Sequence, residues 1–138
     1  MYFKEPHALA YQTEHAAGFD IPCSIDFTLQ PGEFKGIPTN LFLDVERNLN
    51  ESITDELQLR SRSGLAIKHG VAVLNSPATI DADYQGEIKV ILINHGPNPV
   101  AFKAGDRIAQ GVVAAKRLAH GVPVKDAKRS GGFGSTGV

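Results

Sequence analysis

The chain has 138 residues, 14 Lys and Arg against 15 Asp and Glu, a formal net charge of −1, one cysteine and no tryptophan. That length suits a single domain near the lower end of comfortable stability, and the near-neutral charge excludes a protein held to nucleic acid by bulk electrostatics, which leaves a basic face. With Cys23 as the only thiol no internal disulfide can form, and the absence of a signal-like or membrane-spanning apolar run makes a soluble, cytoplasmic protein the expectation.

Fourteen glycines and eight prolines punctuate short apolar runs along the chain. Turn signals stand at Pro31-Gly32, Gly36-Ile37-Pro38, His95-Gly96-Pro97-Asn98-Pro99 and Ala104-Gly105-Asp106. Between them the pattern predicts strands over 25–29, 41–45, 57–60, 71–74, 88–94, 100–103 and 107–114. Seven or more strands in one domain of this size imply an all-β barrel or jelly roll. Helix signals are few. Ser63, followed by Gly64-Leu65-Ala66-Ile67-Lys68, is placed to be the N-cap of a short helix, and the stretch from Ser52 to Glu56 has the form of a capping box.

Chemistry concentrates in Asn75-Ser76-Pro77-Ala78-Thr79-Ile80-Asp81-Ala82-Asp83-Tyr84-Gln85-Gly86-Glu87, which joins an amide, two aspartates and a phenol in what reads as a tight bend at a β-hairpin. In an ideal strand Asp81 and Asp83 share one face, so either carboxylate could act as general base toward a water. Upstream, a helix beginning near Ser63 would aim free N–H groups at an anion beside the planar cation of Arg62, which suits phosphate. The tail, Gly131-Gly132-Phe133-Gly134-Ser135-Thr136-Gly137, has four glycines that let amides approach phosphate, two hydroxyls, and one ring able to stack on a base. His7, His15, His69, His95 and His120 lack zinc-like spacing.

In chain order, Ala17-Gly18-Phe19-Asp20-Ile21, Arg62-Ser63-Gly64-Leu65-Ala66, the Ile80-to-Tyr84 cluster, Gly105-Asp106-Arg107-Ile108-Ala109-Gln110 and the glycine-rich tail resemble the five motifs of the homotrimeric deoxyuridine triphosphate nucleotidohydrolase (dUTPase) family. The resemblance covers roughly residues 15–138 and implies a jelly-roll-like subunit, a single domain whose arm, residues 128–138, closes over a neighbouring subunit's site. It implies hydrolysis of dUTP to dUMP and pyrophosphate by Mg²⁺-assisted attack of water on the α-phosphorus. It assigns the base to Asp81 rather than Asp83. Substrate contacts fall by the same resemblance to Arg62, Ser63, Gly64, Asn75, Thr79, Ile80, Tyr84, Lys89, Gln110, Arg129, Gly132, Phe133, Gly134, Ser135 and Thr136, with Asp20 touching the metal through water. Tyr84 would pack under the deoxyribose and reject a 2′-hydroxyl.

Two departures stand out. Ser61 replaces a usual proline before Arg62, and Arg129 lies one residue nearer the Gly-Gly-Phe than the family pattern has it, leaving Lys128 as a substitute for the terminal phosphate. Residues 46–57 match no family pattern and read as a local insertion or helix. The rival readings are a related dCTP deaminase and a nucleotide-gated regulatory protein.

Overall fold

A computed structural model describes residues 1–5, 9–124, 132–134 and 137. The described residues form, in order, β1 (Phe19–Pro22), β2 (Phe27–Leu29), β3 (Phe34–Leu41), α1 (Val45–Asn50), β4 (Asp55–Arg60), α2 (Ser63–His69), β5 (Val71–Val73), β6 (Ala78–Asp81), β7 (Ile88–Asn94), β8 (Val100–Phe102) and β9 (Arg107–Ala115). The strands pair antiparallel in three sheets, ordered β1-β9-β4-β6, β3-β7-β5 and β2-β8. This is the expected all-β, jelly-roll-like architecture.

Alternation builds the core. In β7 the side chains of Ile88, Val90 and Leu92 are fully buried while Lys89 is exposed, and in β4 Leu57 and Leu59 point inward with Gln58 between them facing out. Each such side chain removed from water contributes about 1.5–3 kcal/mol. Asn94 is the polar exception, and its partners explain it. Its amide donates to the carbonyls of Leu29 (3.0 Å) and Asn98 (2.8 Å), and its oxygen accepts from the Gly96 N–H (2.9 Å), so no buried polar atom of that side chain is left unsatisfied.

Several expectations are corrected. The sequence pattern passes over β1 and β3 because each contains a proline, Pro22 and Pro38. Both lie at sheet edges in the observed order, where a missing N–H costs no ladder bond. The strand expected over 41–45 does not form. Leu41 closes β3, after a bulge at Thr39 and Asn40 in which the Asn40 N–H donates to Glu87 Oε1 at 2.9 Å, and Asp44 caps α1 by accepting from the Arg47 N–H. The segment 46–57 is therefore partly helical. The capping box at Ser52 is absent, since Ser52 (φ 53°) follows α1 and β4 begins at Asp55. Ser63 is the first helical residue of α2, not its cap; Arg62 holds the cap position, without a side-chain capping bond.

The region read as a bend is the correction that matters for function. β5 and β7 do pair, Val71 with Asn94 and Val73 with Leu92. The chain between them, however, crosses to the other sheet and lays β6 along β4, Leu59 opposite Ala78 and Glu56 opposite Asp81. Asp81 thus ends a paired strand, not a hairpin tip.

Candidate active site

Where β6 ends, the Tyr84 N–H donates to the Asp81 carbonyl at 3.0 Å and closes a turn through Ala82 and Asp83. The strand alternation stops there, so Asp83 does not follow Asp81 onto one face. A cavity of about 140 Å³ opens beside this turn, lined by Asn75, Ala78, Thr79, Ile80, Asp81, Tyr84, Lys89, Gly132 and Phe133. Among the described residues Asp81 is its one carboxylate. Geometry therefore separates two aspartates that spacing left equivalent.

Tyr84 is fixed by shape as well as by bonding. Its hydroxyl donates to the Glu87 carbonyl at 3.2 Å, and a Cβ on Gly86 or Gly132 would collide with the Tyr84 hydroxyl oxygen. Glycine at both places leaves room for the ring to approach the backbone closely. Gly132 belongs to the tail, so the described part of the arm rests on this chain's own Tyr84, with Phe133 64% exposed beside it. Gly134 is exposed. Lys128, Arg129, Ser135 and Thr136 lie outside the described residues.

The charged half of the site is built elsewhere. Asp20 on β1 is only 6% exposed. Its two oxygens accept from Arg62 Nε and Arg107 Nη1, each at 3.1 Å, and Arg62 Nη1 donates to the Arg107 carbonyl at 2.7 Å. A buried carboxylate between two guanidiniums is a charge-assisted arrangement that orients both cations. Arg62 and Arg107 line a second cavity, of about 280 Å³, with His69, Phe102 and Asp106. Ser63 and Gly64 are exposed in the first turn of α2, and Gln110 is exposed on β9 opposite both Asp20 and Arg60. This ion-paired set joins three separate sequence motifs, and only strand register reveals it.

Asp20 is thus engaged with arginines, and no group of three His, Cys, Asp or Glu side chains that could hold a metal occurs among the described residues. That donor set fits Mg²⁺ only in the mode in which the ion keeps its waters and takes phosphate oxygens from a substrate.

Among the described residues the two clusters stay apart within the chain. Asp81 faces Glu56 near the start of β4, whereas Arg62 lies six residues further along, just past the strand's other end, roughly 20 Å at the rise of an extended chain. Their cavities share no lining residue.

The family model for dUTPase matches residues 4–137. The chain belongs to the dUTPase family. The deoxyuridine 5′-triphosphate nucleotidohydrolases of Nautilia profundicola and of an Anaeromyxobacter species are 49% and 47% identical to it, covering 93% and 92% of this chain and 89% and 85% of their own. Among solved structures, dUTPase from Streptococcus mutans has the same fold, with a TM-score of 0.73 at 24% identity over 88% of this chain and all of that one. The names these dUTPases carry are those of the hydrolase, not of the deaminase weighed as a rival.

Proposed function

We infer that the protein hydrolyses dUTP to dUMP and pyrophosphate, limiting uracil incorporation into DNA and supplying the precursor of dTMP. The observation that carries this reading is the small cavity in which Asp81 and Tyr84 stand together. A deoxynucleoside fits there with uracil against Asn75 and the backbone of Thr79 and Ile80, and its sugar on the Tyr84 ring. Close contact with the ring leaves no room for a 2′-hydroxyl or its water, so UTP is rejected.

Asp81 accepts the proton of a water as its oxygen bonds to the α-phosphorus and the bond from that phosphorus to the β-phosphate bridging oxygen breaks, releasing pyrophosphate. The Arg62 guanidinium, held by Asp20, presents its remaining N–H groups to phosphate together with Ser63, Gly64 and Gln110. Lys89 lies at the cavity edge and offsets charge. Arg129 or Lys128, with Ser135 and Thr136, complete the contacts from the tail as Phe133 covers the base. Bound on the phosphate oxygens, Mg²⁺ would neutralise charge developing on the leaving group, with Asp20 reached through a metal water.

Separation of Asp81 from Arg62 along β4 supports a site shared between copies of the chain, the homotrimer of the resemblance, working in the cytoplasm. The test is pyrophosphate release with Mg²⁺ from dUTP, dCTP, dTTP and UTP in parallel. Release from dUTP alone is expected. Ammonia release from dCTP, or dUTP bound without cleavage, would contradict the reading.

A further inference from the structure

We propose that Asn48, in the segment matching no family pattern, is a positioning residue that clamps the Asp81 turn to the N-terminal strap of the chain; the inference rests on the dUTP-hydrolysing reading of that site. Asn48 sits inside α1 with none of its surface exposed. Its amide nitrogen donates to the carbonyls of Ala82 (3.3 Å) and Tyr2 (3.4 Å), and its side-chain oxygen accepts from the Tyr2 N–H at 2.7 Å. Its own backbone is committed as well, the N–H to the Asp44 carbonyl and the carbonyl to the Ile53 N–H. One side chain therefore joins three segments distant in sequence.

Two successive carbonyls of the turn are held from different directions, that of Asp81 by the Tyr84 N–H and that of Ala82 by Asn48. Fixing both restricts the backbone rotations that would swing the Asp81 carboxylate. The strap is itself anchored. Tyr2 accepts from the Asp44 N–H, Lys4 donates to the Phe42 carbonyl, Phe3 bridges Leu43 and packs edge-on against Phe19, and Arg47 lies 3.6 Å over the Tyr2 ring. A long surface helix would not need a fully buried asparagine, and a six-residue α1 that merely connected β3 to β4 would not aim one at the turn carrying the base.

The experiment compares wild type with Asn48→Ala, with Asn48→Asp, which keeps the shape and the acceptor but loses the amide donor, and with Tyr2→Phe, which alters the strap without touching the turn. For each, kcat, KM, binding of the non-hydrolysable α,β-imido analogue of dUTP, and the melting temperature are measured. Both Asn48 variants are expected to lose about tenfold or more in kcat, the order of cost of a small misplacement of a reacting group, with KM and analogue binding within about threefold. Tyr2→Phe is expected to lower the melting temperature and keep kcat. Wild-type kcat in Asn48→Asp, or parallel loss of kcat and binding, would overturn the proposal. Should the variants not fold, amide exchange in the wild type decides. The Tyr84 N–H is expected to share the protection of the Tyr2 and Ile53 N–H groups, and fast exchange at Tyr84 alone would refute the clamp. A wild type inert toward dUTP would instead remove the functional reading beneath it.

Discussion

The cavity at the end of β6 and the arginine cluster beside β1 are both polar, yet they are held by opposite means. In the first, a turn bond holds the Asp81 backbone and two glycines leave room for the Tyr84 ring, so the seat is set by shape. In the second, a buried carboxylate fixes two cations by charge. Shape discriminates a sugar from its hydroxylated analogue, because a packed ring cannot yield without strain. Charge grips a flexible polyphosphate, whose oxygens reach fixed donors in several poses. The two devices lie at opposite ends of one strand, β4, and that separation is what the proposal of a site shared between copies rests on.

The largest effect expected falls on the shape side. Asp81→Asn should lower kcat for dUTP by about 10²–10⁴-fold, the span of a general base, while isothermal titration still detects the imido analogue. On the charge side, Asp20→Asn leaves two guanidiniums without their carboxylate. Because Arg107 is half exposed, the loss is about 2 kcal/mol, below the cost for a fully buried pair, read as a lower urea midpoint with a raised KM. Gly86→Ala sharpens the contrast by pushing on the Tyr84 ring, and should reduce the preference for dUTP over UTP by about tenfold; unchanged preference would show that the ring is not the gate.

The smallest effect lies outside both regions. Hydrogen bonds from the Tyr2 hydroxyl and from Arg47 hold the Glu51 carboxyl below its ordinary value of 4.5. A depressed folded-state value contributes stability above pH 4.5 that is lost as pH falls through the lowered value. Glu51→Gln should therefore flatten the acid side of the stability profile slightly and leave turnover near neutrality untouched.

Legibility in the sequence followed physical rules. The strand 88–94 was readable to its ends because it is a β-branched and aliphatic run closed by the turn signal from His95 to Pro99, and Arg107–Ala115 nearly so. β1 and β3 were hidden by prolines that only an edge position makes harmless. The cluster from Asn75 to Glu87 announced its chemistry, but not that β6 would leave the hairpin for the other sheet; that depends on Leu57 and Leu59 offering Ile80 and Ala78 a core to join. Pairing of Asp20 with Arg62 and Arg107 could not be read, since it needs β1, the start of α2 and β9 placed in space. Asn48 carried no signal beyond being a polar residue in a short helix.

The division of the site between copies is tested most directly by complementation. Asp81→Asn and Arg62→Ala are each expected to be nearly inactive alone. Co-expressed in equal amounts, they should assemble interfaces in which an intact Asp81 of one copy meets an intact Arg62 of another, restoring about a quarter of wild-type pyrophosphate release if copies mix at random in a closed ring. A mixture no more active than the average of its two components would contradict the shared site and place both groups in one chain's own centre.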